Sequence, residues 1–292
     1  MCHIRNGDFQ AARQALLEGL EIAIRIGSHF SQVWASWLLA DLLRWQGEYE
    51  LALQYGQSAL EIALALEEFM PFLVVPPLGT LGTIYLDLSE QFKDKVSELH
   101  NHALRLLESP TATQTGGTAW ADLGFCALAL GDLVLASEVF DKGLHVPTMF
   151  TLIEQPRLLA GAALLACARG EFDQALRLAE EAYAYATERR MRHVLPLTSL
   201  TIGKIRVARG ELEAGSQEFD GAESGALALG LRPLAWQAQA AAGDALAAAG
   251  QKQSALEKRT AAQALVIEIA DQISDTDLRF TYRRSALAKV WG

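Results

Sequence analysis

One pattern of small, apolar and polar positions repeats along the chain. A glycine with a polar residue after it, GDF at Gly7, recurs as GEY at Gly47, GDL at Gly131, GEF at Gly170, GEL at Gly210 and GQK at Gly250, and SEQ at Ser89 fills the gap. The successive spacings are 40, 42, 42, 39, 40 and 40 residues. Five places after the marker stand Ala12, Ala52, Ala136, Ala175, Gly215 and Ala255; seven places before it stand Ala40, Gly82, Gly124, Ala163, Gly203 and Gly243. Two helices approach to about 8 Å only where side chains are small. The marker glycine supplies the left-handed residue that ends a first helix. The acid that usually follows favours the positive end of a second. Each unit is therefore predicted as helix, tight turn, helix, with larger apolar residues filling the other inward positions.

The predicted units span about 31–69, 71–108, 116–146, 153–189, 193–229 and 231–272, after a half unit at 1–30. The unit around Ser89 departs from the pattern. Asp94 stands where a small residue belongs, and the register returns near Val96 and Ala103, as two residues inserted in SEQFKD would cause. Pro76 and Pro77 are expected to bend or delay its first helix. After the last unit, Ser274 or Asp275 is a candidate cap for a helix over about 276–289.

The pattern resembles tetratricopeptide (TPR) repeats. In TAWADLGFCALALGDLVLASEVFDKGL, Trp120, Leu123, Gly124, Gly131, Ala136 and Phe140 occupy that family's signature positions. The units exceed the family's usual length. In this they resemble the C-terminal TPR-like arms of bacterial LuxR-type regulators with an NTPase core, and of ATPase–cyclase fusions. The tail IEIADQISDTDLRFTYRRSALAKVWG is similar to the ends of such arms. The resemblance implies one all-α, right-handed helical-hairpin solenoid over 1–292 with a C-terminal capping helix. The opening residues, Met1 to Asn6, read as the last third of a first helix. An array finished at one end and open at the other is expected to be part of a longer protein, and its open N-terminal repeat is a candidate surface for self-association. A short protein whose first helix frays, or is completed by a partner, stands as the alternative.

Composition narrows the function classes. The chain is 51% hydrophobic with a net charge of −10, and its densest basic run, ERRMRH, is short. Such a chain repels a phosphate backbone, so nucleic acid is not an expected partner. Three scattered cysteines without a CxxC fit a reducing cytoplasm. The longest apolar run, 71–88, holds two prolines and is a poor membrane span. His100 and His102 point to different helix faces, and HExxH is absent, so no metal site is expected. There is no P-loop, no GxGxxG at a strand-to-helix turn and no GxSxG. ATQTGGTAW at 112–120 lacks the lysine of a phosphate loop and reads as a connection between hairpins. Cys126 and Cys167 lie in apolar helices, as inert buried thiols do. Neither catalysis nor a cofactor is expected.

What remains is a binding surface. In TPR arrays the first helices line the groove, and by resemblance the lining residues lie 13, 10, 6, 3 and 2 places before the marker. These are Trp34, Trp37, Asp41, Arg44 and Trp45 in the first full unit. Later units contribute Phe125, Leu128, Leu164, Leu200 and Val207, with Arg157, Lys204, Gln237 and Asp244 as polar points. The clamp with which chaperone-binding TPRs hold a peptide carboxylate is not visible. Tryptophan and arginine are frequent anchors of binding surfaces; at these places the tryptophans equally serve packing between helices or against an upstream repeat. The expected partner is a protein or peptide, with a small effector admitted. The expected role is the sensor arm of a larger signalling regulator, or a free-standing adaptor that holds a partner protein.

Overall fold

The computed structural model describes residues 2–109, 119–146 and 151–292. Most of the 112–120 connection, and the start of the unit placed at 116–146, lie outside the described residues. Among the described residues there are fifteen α-helices and no strand. They are α1 (Cys2–Asn6), α2 (Phe9–Arg25), α3 (His29–Gln46), α4 (Tyr49–Leu64), α5 (Val75–Leu88), α6 (Lys93–Leu107), α7 (Trp120–Leu130), α8 (Leu133–His145), α9 (Thr151–Ala168), α10 (Phe172–Glu188), α11 (Leu195–Ala208), α12 (Leu212–Ala228), α13 (Arg232–Ala248), α14 (Lys252–Asp271) and α15 (Thr276–Trp291). The fold is all-α and built of repeated helical hairpins.

The hairpin turns follow from their glycines. Gly7, Gly47, Gly131, Gly170, Gly210 and Gly250 all have φ between 77° and 86°. The residue after each glycine returns its N–H to a carbonyl five positions back, as Glu48 does to Leu43 at 2.9 Å and Asp132 to Ala127 at 3.0 Å. This closes the first helix in a Schellman turn. The acid after the glycine works in two ways. Asp8 and Asp132 cap the second helix by side chain, at 3.1 Å and 2.9 Å. Glu48, Glu171 and Glu211 make no such bond, which leaves only their charge to favour the helix N-terminus.

At Ser89 the backbone is extended instead, and a 3-10 turn over Glu90–Phe92 precedes α6. The longer turn accounts for the shifted register of α6, whose buried face includes Val96 and Ala103. Pro76 and Pro77 fall in the first turn of α5, where a missing N–H costs nothing. They mark where α5 starts, after the 3-10 turn Pro71–Leu73. By length and composition Pro71–Leu88 is apolar enough to cross a membrane, yet 72% of the stretch is buried inside the fold.

The chain forms two compact units. The first comprises Met1–Ile4, Asp8–Arg44 and Glu48–Leu158; the second comprises Arg5–Gly7, Trp45–Gly47 and Leu159–Gly292. In the first, small residues set the helix spacing. A Cβ on Gly124 would strike the ring of Phe140, and one on Gly56 would lie 2.8 Å from Leu81. In the second, Ala163, Ala166, Ala175 and Ala179 pack with Ile202 and Ile205 in one buried cluster. Gly203 and Gly215 approach so closely that a Cβ on either would meet the other's carbonyl oxygen at 3.1 Å. Asp275 caps α15, accepting from the Leu278 N–H at 2.8 Å, while Tyr282, Ala286 and Val290 form its buried face.

Candidate functional site

The first unit carries a polar chain through its buried interior. It runs across α3, α5, α7 and α9, which are successive first helices of hairpins. The indole N–H of Trp37 donates to Thr80 Oγ1 at 2.8 Å, and Thr80 Oγ1 donates to Asp122 Oδ2 at 3.2 Å. The other oxygen of Asp122 accepts from Arg157 Nη2, and Arg157 Nη1 donates to Glu154 Oε2 at 2.7 Å. Trp37, Asp122 and Arg157 are 6%, 2% and 5% exposed, so this chain is shielded from water. A second ionic group occupies α3 and α5. Arg44 Nε lies 2.9 Å from Asp87 Oδ2, and Arg44 Nη1 lies 3.6 Å from Asp41 Oδ1. These three side chains remain partly open to solvent, at 16%, 24% and 23%.

Electrostatics joins the two groups. Burial works against the charge of Arg157, but Asp122, Glu154 and Asp41 outweigh it and raise its pKa. Arg44 is raised in the same way: burial opposes its charge, and Asp87, Asp122 and Asp41 prevail. Glu154 is pushed up to about 7, chiefly by burial, with Asp122 and Asp41 adding to the shift and Arg157 opposing it. Four carboxyl groups thus face two guanidinium groups. Neighbouring aromatic rings extend the surface. Trp34 meets Trp37 edge-on at 5.1 Å between ring centres, and Phe30 lies 6.1 Å from Trp34.

The structure brings Trp34, Trp37, Asp41, Arg44 and Arg157 into this one region. Phe125, also in the first unit, is half-buried and packs edge-on against Phe140 at 5.8 Å. Trp45 and Lys204 belong to the second unit. Trp45 is buried, with its ring 6.2 Å from that of His193. Lys204 is exposed in α11; the protein around its amine, and then Lys289, lower its pKa.

Four residues of the site were not among the sequence candidates. Asp87 sits two places before Ser89, a groove place that the counting rule reaches once Ser89 is treated as a marker. Thr80 and Asp122 each lie nine places before their marker, a place that the groove count does not include. Glu154 lies beyond the counted places, and only its three-residue spacing from Arg157 hinted at a pair. Among the described residues no group of His, Cys, Asp and Glu is placed to hold a metal ion. Cys126 is buried, and burial raises its thiol pKa, which disfavours the reactive thiolate.

Comparison with known proteins agrees with this architecture. Residues 1–65 match the tetratricopeptide-repeat family model. Solved structures align over nearly the whole chain. A Rap protein complexed with Competence and Sporulation Factor matches with a TM-score of 0.70 at 16% identity, over 94% of this chain and 74% of that one. The fold is TPR-like. A tetratricopeptide repeat protein from Parabacteroides merdae matches with a TM-score of 0.52 at 15% identity, over 97% of this chain and 100% of that one. A monomeric IFIT1 mutant with m7Gppp-AAAA matches at 0.50 and 13% identity, over 92% and 63%. At these identities the likeness is one of fold. No curated protein matches the chain. The polar chain of the first unit lies on the first helices of such hairpins.

Proposed function

We propose that this chain is a non-catalytic binding module that holds a protein or peptide segment along α3, α5, α7 and α9, as the sensor arm of a signalling regulator. One observation carries the proposal: the partly open Arg44–Asp41–Asp87 group beside the buried chain from Trp37 to Glu154. Burying ion pairs is expensive, and apolar residues of similar volume would stabilise a helical array at least as well. Charges retained on an interaction face select a partner and its register. With carboxyl groups in excess, the favoured segment carries lysine or arginine. A Rap protein of this fold is complexed with Competence and Sporulation Factor, which supports a sensing role.

The same likeness fits a second reading, a free-standing adaptor. Two measurements test these ideas. Proteins crosslinked to the chain in its source cells are compared with those captured by the Asp41→Asn/Asp87→Asn variant. Loss of specific partners at an unchanged melting temperature is expected; an identical set overturns the assigned face. An immunoblot of the native product then separates the two roles. A band far above 31.7 kDa fits a regulator arm, and a band at that mass fits an adaptor.

A further inference from the structure

The last helix presents a second surface, unrelated to the first unit. One face of α15 is spent on the core through Tyr282, Ala286 and Val290. On the opposite face, Phe280, Arg284, Leu287 and Trp291 follow one another at intervals of four, three and four residues, which aligns them along the helix. Phe280 is 65% exposed and Trp291 is 41% exposed. The indole N–H of Trp291 donates to Gln263 Oε1 on α14 at 2.9 Å, which holds the ring in place while part of it meets solvent. Arg283 flanks the row.

Arg283 and Arg284 are exposed, and among the described residues neither has an ion-pair or hydrogen-bond partner. Some other arginines of the second unit do. Arg206, Arg209 and Arg259 each lie against a carboxylate. Two guanidinium groups without a carboxylate partner thus stand beside exposed aromatic rings in a chain of net charge −10. Asp277, three residues before Phe280, sits in the first turn of α15, where the helix dipole already favours it.

We infer that the exposed face of α15 is a docking surface for an acidic amphipathic helix of a partner protein. Its apolar row takes the aliphatic side chains of such a helix, and Arg283 and Arg284 take its carboxylates, the combination found at binding hot spots. A helix is the fitting shape because each of α13, α14 and α15 packs along its predecessor, and a helix on this face continues that packing.

The test uses the whole chain and two labelled synthetic amphipathic helices, one of Leu, Ala and Glu and one of Leu, Ala and Lys, followed by fluorescence anisotropy. The acidic peptide is expected to bind and the basic one not. Arg283→Glu/Arg284→Glu should weaken the acidic peptide about tenfold or more, and Phe280→Ala should weaken it comparably. Melting temperature should hold in both, since the altered side chains are exposed. Equal binding of the two peptides overturns the inference, as does acidic-peptide binding that ignores the arginine reversal. Sedimentation of the chain alone covers the remaining occupant: self-association abolished by Phe280→Ala would assign the face to a second copy and overturn it as well.

Discussion

Arg157 on α9 donates to Asp122 on α7 where both side chains are almost wholly buried, at 6% and 3% exposure. The pair joins α7 to the start of α9 through charge and continues the polar chain that begins at Trp37 and Thr80. Removing one partner strands the other. Arg157→Leu is expected to destabilise the protein by about 3–5 kcal/mol, whereas Asp122→Leu/Arg157→Leu should lose distinctly less. Urea unfolding of both variants checks this. Equal losses would show that the pair is not an electrostatic unit.

Glu154 makes stability depend on pH. Its carboxyl is raised from 4.5 to about 7 in the folded chain. Between those values the folded state keeps a proton that the unfolded state has released. Stability from this group is therefore full below about pH 4.5 and declines as pH rises to about 7, by about 3 kcal/mol at most. Glu154→Gln should flatten that limb. Parallel stability curves for the two proteins between about pH 5 and about pH 8 would refute the assignment.

His100 acts in the opposite direction. It is buried, and burial lowers its pKa below 6.5, against an opposing pull from Asp132. Here the unfolded state binds the proton first. The stabilisation is present above pH 6.5 and is lost as pH falls through the folded pKa. His100→Leu should show a shallower loss on the acid side in thermal melts, and an unchanged slope would count against this role.

Two glycines at different places in one hairpin should fail for different reasons. Gly124→Ala drives a methyl into the Phe140 ring, which is 1% exposed and has nowhere to move. A loss of about 1–3 kcal/mol is expected, relieved in part by Phe140→Leu. At Gly131 nothing lies within 4 Å, but φ is +82°, so Gly131→Ala costs about 1–2 kcal/mol of backbone strain that no core substitution relieves. Calorimetry of Gly124→Ala, Gly131→Ala, and each combined with Phe140→Leu distinguishes the two causes.

Trp37 and Asp41 share a helix, yet their substitutions should separate stability from binding. Trp37 is buried and bonded to Thr80, so Trp37→Ala should cost about 3–5 kcal/mol. Asp41 is partly open, and Asp41→Asn should change the melting temperature little while weakening partner capture. Similar melting losses in both would mean that Asp41 too is structural.

The site was only half legible in advance. Trp34, Trp37, Asp41, Arg44 and Arg157 came from places counted back from the marker, and they do share one region. The count could not see that Trp37 is closed off by Thr80, or that Arg157 is satisfied by Asp122. Both partners occupy the ninth place before a marker in their own hairpins. Nothing local distinguishes a threonine or aspartate there from one facing solvent.

By itself the sequence determined the repeat: where each first helix stops, which positions are small, and where the longer turn at Ser89 falls. These are local matters, set by the left-handed glycine and by the room one side chain leaves its neighbour. Tertiary structure alone decided which charges meet. Asp122 and Arg157 are 35 residues apart, and Trp37 and Thr80 are 43. Such pairs exist only once hairpins stack, because stacking removes the water that would otherwise serve each group separately.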